Sequence, residues 1–384
     1  MRILFALQAD ISSNSGYHVE GFASSLAAAG HEVAIALPER STAPAPAGTT
    51  LVTVHEVAAG WTFADGAAPD VVHAWTPRLA ITDAVDVLRR RWPALPVVVH
   101  LEDDERLITG SFVGKPWAEL EADDFEPDPA LRSVACSPRR AGLLLRSAAA
   151  VTCIIDALAE LVPEGVPTTT VWPGVDTDRF HPRRASDELR RLHQVPRNAV
   201  VLAYAGAVHA ANAAEVRSLY VAVGLLNRRG VPAVLLRSGG DFAPFLGPDD
   251  SWAAPFVRSL GWIDREEVPT LLATADVLVQ PGRPGAFNDH RLPSKLPEFL
   301  ASGRPTVLPR TNLGLALSHQ RDAVVLDVAD GSAIADAVMA LWAEPARRDA
   351  IAAGGRRFAE ERLRWDVQAA LLEDVYADAI ARAS

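Results

Sequence analysis

The sequence predicts an α/β protein made of two doubly wound halves, and three observations carry that expectation. Short runs rich in Val, Ile and Leu alternate with helix-period segments along nearly the whole chain. Within those runs apolar and polar residues do not alternate, which is the pattern of strands buried on both faces of a parallel sheet flanked by helices. The chain has 384 residues, more than one ordinary core holds.

The expected strands of the first half are 2–8, 32–37, 70–75, 96–101 and 150–155. Those of the second are 199–205, 232–237, 276–280, 306–309 and 323–327, with a further strand-like run at 256–260. A helix is expected over 17–29, because Val19, Phe22, Ala23 and Leu26 share one face and Gly30 follows as a stop. Another is expected over 212–229, with Asn212 as N-cap, Glu215 three residues on, and Val216, Leu219, Val223 and Leu226 turned inward. Ser294 is expected to cap a helix running to Ala301, with Pro297 in its first turn. The segment 365–383 is amphipathic through Val367, Leu371, Val375, Tyr376 and Ile380. Pro173, Gly174, Pro182 and Pro196 surround a polar run at 183–191 and mark the boundary between the halves. The expected division is 1–175, a linker 176–198, a second domain 199–362, and a C-terminal helix 363–384 that crosses back.

Composition narrows the function. Apolar residues make up 49% and charged residues 22%, a globular balance that excludes disordered or collagen-like chains. The net charge of −11 argues against a general nucleic-acid binder. Cys136 and Cys153 stand alone, so neither a disulfide framework nor a structural zinc site is expected, and the usage fits a reducing cytoplasm. The apolar run at the N-terminus is cut short by Asp10, unlike a signal peptide. The longest apolar region, 141–162, carries Arg146, Asp156 and Glu160, so no span of a bilayer is expected. A cytoplasmic location is expected, with peripheral membrane contact left open.

Doubly wound sheets bind ligands beyond the carboxyl ends of their strands, so the loops there were weighed for chemistry. Asp10-Ile11-Ser12-Ser13-Asn14-Ser15-Gly16-Tyr17-His18 is small, polar and opens a helix, where backbone N–H groups favour a phosphate. It lacks G-x-G-x-x-G, and a plain connection explains it equally well. His100 ends a valine run; it is either a group facing an acceptor hydroxyl or a satisfied buried histidine. The acidic Glu102-Asp103-Asp104-Glu105 that follows reads as a metal site or, more simply, a solvated loop. Asp176-Thr177-Asp178 has the D-x-D form of a metal-bound sugar-nucleotide site, but its place among turn residues argues for turn chemistry. The richest stretch, 281–300, sets Asn288, Asp289, His290, Arg291 and Lys295 just before a helix start. Glu298 falls in that helix's first turn, and a carboxylate there can accept from both hydroxyls of a vicinal diol such as a ribose. Lys295 and Arg291 can neutralise a leaving diphosphate. Trp262, after the run 256–260, either flanks a nucleobase or belongs to the core.

Taken in order, these pieces resemble the retaining family-four glycosyltransferases of GT-B fold, over nearly the whole chain. The resemblance rests on the Gly16 loop, Gly30-His31-Glu32-Val33, Val72-His73-Ala74-Trp75 and the strand ending at His100. It continues through Pro173-Gly174-Val175-Asp176, Tyr204-Ala205-Gly206, Leu260-Gly261-Trp262, the run 272–281, Lys295-Leu296-Pro297-Glu298-Phe299-Leu300 and Trp365. It implies two Rossmann-like domains facing across a cleft, the first for the acceptor and the second for a nucleotide-diphosphate sugar, with no metal and no other cofactor. Glu298 matches the second glutamate of the family's E-x7-E motif, which binds the ribose. Trp262 and Ile263 match the loop beside the base, Gly16 the loop facing the diphosphate, and His100 a histidine near the reacting centre. The chain departs from the pattern at two places. His290 stands where the first glutamate of the motif would be, and Ala207, Val208 and His209 replace the arginine and lysine region after the Tyr-x-Gly strand.

The expectation is therefore a hexosyltransferase that moves a sugar to a glycan, lipid-linked sugar or small-molecule acceptor with retention at the anomeric carbon. His100, Asp289 and His290 are its expected catalytic residues; Gly16, Trp262, Ile263, Asn288, Arg291, Lys295 and Glu298 are its expected donor contacts. Two other readings stand beside it: a GT-B module that binds sugar nucleotides or a protein without transfer, and a UDP-sugar epimerase using Asp289.

Overall fold

The computed structural model describes residues 1–383. The chain divides into two compact units: Met1–Gly174 with His290–Leu292 and the segment from Trp365, and Val175–Asp289 with Pro293–Arg364.

The first unit carries one parallel sheet of β1 (Arg2–Leu7), β2 (Glu32–Leu37), β3 (Thr49–Thr53), β4 (Val71–Trp75), β5 (Val97–Leu101), β6 (Ala150–Cys153) and β7 (Thr168–Thr170). Its order is β3-β2-β1-β4-β5-β6-β7. Ile3, Leu4, Phe5 and Ala6 of β1 are fully buried, as are Val98 and Val99 of β5. This is why those runs show no polar alternation. The strand order reverses between β1 and β4, so the crevice of this unit lies beyond their carboxyl ends.

The second unit repeats the plan with β8 (Val200–Ala205), β9 (Ala233–Ser238), β10 (Val257–Gly261), β11 (Val277–Val279), β12 (Thr306–Pro309) and β13 (Val324–Leu326). All are parallel, in the order β10-β9-β8-β11-β12-β13, with the reversal between β8 and β11.

Several local expectations need correction. The first helix runs from Asn14 to Ala28, and Ser13 caps it by accepting the Gly16 N–H. Asn212 holds the N-cap position of the helix Ala213–Arg228, but its side chain turns back: its amide donates to the Ala207 carbonyl and its oxygen accepts from the His209 N–H. Ser294 is not the cap of the helix Leu296–Ala301; Lys295 occupies that position, with Pro297 in the first turn as expected. The stretch 176–198 is part of the second unit rather than a free linker. It forms the helix Asp187–Leu192, capped by Ser186, and Arg356 donates to the carbonyls of Phe180 and Thr177.

The last helix, Trp365–Ala383, buries Leu372, Val375, Tyr376 and Ala379 in the core of the first unit. Trp365 packs edge-on to Phe22, 5.1 Å between ring centroids. A Cβ on Gly21 or Gly174 would lie 2.3 or 2.4 Å from the Trp365 ring, so both positions need glycine for this contact. Among the described residues no helix is long and apolar enough to cross a membrane.

Candidate active site

In the second unit the loops after β8, β9 and β10 lie tightly against one another. The Gly206 N–H donates to the Ser238 carbonyl and the Gly239 N–H to that of Gly261. A Cβ on Gly239, whose φ is +109°, would sit 2.4 Å from Gly206 backbone atoms. Three glycines thus keep the rim of the sheet low enough for a ligand's phosphates to approach the backbone.

Lys295 reaches over this rim. Its Nζ lies 4.8 Å from the centre of the Tyr204 ring and 3.4 Å from Gln280 Oε1, placing the ammonium at the ends of β8 and β11, beside the reversal of strand order. No carboxylate pairs with it among the described residues. One turn on, Glu298 is 5% exposed and its Oε1 accepts from the Arg265 guanidinium at 2.6 Å. The carboxylate is therefore held at the site's margin by a partly exposed partner and is not lost in apolar packing. Trp262 is 79% exposed, which removes the core reading of that residue. Ile263 beside it is half-buried.

The other polar groups before this helix serve different ends. Asn288 donates to Glu215 and to the Arg283 carbonyl at 2.9 Å. Both oxygens of Asp289 are taken, one by the Gly285 N–H at 2.9 Å and one by the Thr311 hydroxyl at 2.5 Å. These two residues shape the loop 283–289. His290 Nε2 bonds Glu160 at 2.7 Å, and the positive charge of Arg291 bears on Asp103; both histidine and arginine pack with the first unit. The structure thus brings together Lys295, Glu298 and Trp262–Ile263 around the rim of the second sheet, while Asn288 and Asp289 brace it. Arg265 was missed: only its position three residues after Trp262 hinted at it.

In the first unit, Gly16 is closed in: a Cβ there would meet the Ile11 carbonyl oxygen at 2.0 Å, and its N–H is bonded to Ser13. His100 is buried, stacked on Trp75 at 3.9 Å, with Nδ1 2.8 Å from Thr152 Oγ1 and Nε2 without a partner. Burial holds it neutral, its pKa lowered to about 3.

The residues after β5 are not a solvated loop. Glu102, Asp104 and Glu105 are each about 95% buried and paired. Glu105 accepts from Arg78 at 2.8 Å, and Asp104 from Arg106. Glu102 accepts from Ser15 Oγ at 2.5 Å and pairs with His18 Nδ1 at 2.6 Å. Burial alone would raise the Glu102 pKa, but the His18 and Ser15 bonds hold it at about 2. Asp103 goes the other way, pushed up to about 8 by burial and by its acidic neighbours Glu102 and Glu105. In the sequence Ser15 and His18 stand in a candidate phosphate loop and Glu102 in an acidic run, with nothing to join the two, and Gln8 ends an expected strand. Asp176 Oδ1 accepts from the N–H groups of Asp178 and Arg179, which is the turn chemistry expected of that D-x-D.

Residues 199–344 match the model of glycosyl transferases group 1. The chain is 32% identical over 213 residues to the GDP-mannose-dependent alpha-(1-6)-phosphatidylinositol monomannoside mannosyltransferase of Mycobacterium tuberculosis, covering 53% of the chain and 54% of that protein. It is 30% identical over 243 residues to the D-inositol 3-phosphate glycosyltransferase of Saccharomonospora viridis, covering 58% and 52% respectively. The chain spans about half the length of the curated relatives it matches. Solved structures agree over the full length: sucrose-phosphate synthase from Thermosynechococcus elongatus at TM-score 0.70 and 14% identity, covering 100% of both chains, and Anabaena HepE with UDP-glucose at 0.69 and 14%, covering 98% and 99%. At those identities the likeness establishes the fold, which is GT-B with two Rossmann-like domains.

Proposed function

We propose that this chain is a retaining hexosyltransferase that moves a sugar from a nucleoside-diphosphate donor to a hydroxyl acceptor. The observation that carries the reading is the glycine-lined rim of the second sheet, with the unpaired ammonium of Lys295 above it and the Glu298 carboxylate one turn away. Lys295 replaces the missing cations after Tyr204-Ala205-Gly206 and stabilises the charge that grows on the departing diphosphate. Glu298 exchanges Arg265 for the two ribose hydroxyls, and the exposed face of Trp262 lies beside the base. Asn288 and Asp289 keep the loop in shape, whereas His290 and Arg291 belong to the first unit. The first unit takes the acceptor, with His100 among the proposed catalytic residues and the Gly16 turn setting the entry of the first helix. Water would otherwise consume the activated sugar, so the reaction needs an enclosed site.

The relatives from Mycobacterium tuberculosis and Corynebacterium glutamicum are GDP-mannose-dependent by name, and the names of those from Mycobacterium tuberculosis and Saccharomonospora viridis carry an inositol. GDP-mannose is therefore the proposed donor, and a polyol or glycoside hydroxyl the proposed acceptor, worked on in the cytoplasm or at its membrane surface. The test is release of nucleoside diphosphate from a panel of sugar nucleotides with inositol and mannoside acceptors. Donor binding without release over the whole panel would favour the non-catalytic module, a reading that the absent arginine and lysine motivate.

A further inference from the structure

At the carboxyl ends of β1, β4 and β5, five side chains more than nine-tenths buried each hold a polar atom without a partner: Gln8 Oε1, His18 Nε2, Trp75 Nε1, Thr76 Oγ1 and His100 Nε2. Unpaired buried polar atoms are rare and costly, so such a cluster points to a ligand. Thr76 adds backbone strain, with φ of +70°. His18 and His100 are close enough for the charge of one to bear on the other.

Two hydrogen-bond chains run into these imidazoles from opposite sides. In the first, Gln8 Nε2 donates to Ser15 Oγ at 2.9 Å, so the Ser15 proton must go to Glu102 Oε2. Glu102 is ionised and can only accept, so His18 carries its proton on Nδ1. In its neutral form His18 then presents a bare Nε2. In the second chain, burial pushes the Tyr376 hydroxyl pKa up, so it keeps its proton and donates to His73 Nδ1 at 2.7 Å. His73, neutral by burial, passes a proton from Nε2 to Thr152 Oγ1 at 3.0 Å, and Thr152 donates to His100 Nδ1 at 2.8 Å. Neutral His100 must then carry its proton on Nε2.

We propose that these chains lock His18 and His100 in opposite tautomers, and that the pair receives one acceptor hydroxyl: its proton is accepted by His18 Nε2, and its oxygen accepts from His100 Nε2–H. A hydroxyl, of an alcohol or of water, satisfies both nitrogens. A phosphate or carboxylate leaves His18 unpaired, and an ammonium leaves His100 unpaired. Glu102, Ser15 and Gln8 are positioning residues for His18; Tyr376, His73 and Thr152 are positioning residues for His100. The assignment deepens the proposed transfer reaction and rests on it for the identity of the ligand, while the tautomers themselves do not.

The test is long-range proton–nitrogen NMR of the imidazoles in full-length protein at about pH 8.5, where an ordinary histidine is neutral. Expected is an unprotonated Nε2 for His18 and an unprotonated Nδ1 for His100. The same tautomer at both residues would overturn the proposal. Tyr376→Phe keeps the ring in the core and removes the proton that sets the second chain, so His100 should become a tautomer mixture. Glu102→Gln should turn its amide donor toward His18 and move the His18 proton to Nε2. Transfer to methyl α-mannoside should fall about tenfold in kcat/KM with Tyr376→Phe, the loss of roughly one well-set hydrogen bond. Opposite tautomers with transfer unchanged in that variant would overturn hydroxyl recognition by the pair. Failure of the transferase reading shows separately, as no nucleoside diphosphate released by the unaltered protein from any sugar nucleotide.

Discussion

Replacing Lys295 with methionine removes one charge and keeps most of the side-chain volume. No described carboxylate pairs with this ammonium, so the change breaks no ion pair. What is lost within the protein is its contact with the Tyr204 ring, 4.8 Å away, and a long bond to Gln280. An exposed cation–π contact contributes about 0.5–1 kcal/mol, so the protein stays folded. For the ligand the loss is larger. A unit charge about 4 Å from a phosphate at an effective dielectric near 20 gives roughly 4 kcal/mol of attraction. Desolvation of both partners reduces this to the roughly 1.5–3 kcal/mol of a charge-assisted hydrogen bond. The expected outcome is a Kd for GDP raised about tenfold to 150-fold. Isothermal calorimetry measures it, with a denaturation curve as control for folding. A change below about threefold, with stability intact, would refute the placement of the diphosphate at Lys295.

Other expectations follow from the same geometry. Gly206→Ala brings a Cβ to 2.8 Å from Lys295 Cε, a flexible group that can move, so GDP affinity should fall while the denaturation midpoint stays near its original value. Gly239→Ala puts a Cβ on rigid backbone at positive φ and should destabilise the fold by about 1–3 kcal/mol in urea denaturation. Glu298→Ala should abolish any preference for GDP over 2′-deoxy-GDP, whereas Arg265→Ala should preserve it, as competitive binding would report. The carboxyl of Asp103, with its folded pKa raised to about 8, binds a proton in the folded state that the unfolded chain releases near pH 4. Its contribution to stability is thus full below that pH and declines as pH rises toward 8. Asp103→Asn should flatten the fall in Tm across that window, and an unchanged profile would count against the buried, acid-flanked environment.

The cores of both sheets were legible because β1, β5, β8 and β9 are apolar runs covered on both faces. The strands Thr49–Thr53 and Thr168–Thr170 were not, since each pairs on one side only and has few large apolar residues. Pattern follows burial, and edge strands are half as buried. The C-terminal helix was legible from its amphipathic spacing, but Leu371 of the expected apolar face is exposed and Leu372 is buried in its place. In the site, Lys295, Glu298 and Trp262 were found because Gly and Pro punctuate the loops that carry them. His18 and Glu102 were not joined, because they stand 84 positions apart, one at the end of a polar loop and the other in an acidic run, and nothing in the sequence pairs them. The acidic run after His100 looked solvated because charge in sequence shows the number of carboxylates and not their partners; Arg78 and His18, which bond two of them, come from other elements.

The measurement that bears most directly on the whole account is the fate of the sugar when purified protein, GDP-mannose and a mannoside or inositol acceptor are followed together by proton NMR. Expected are equal amounts of GDP and of a new glycoside whose anomeric proton keeps the donor's configuration. An inverted linkage, or a sugar isomerised with its diphosphate bond intact, would contradict it.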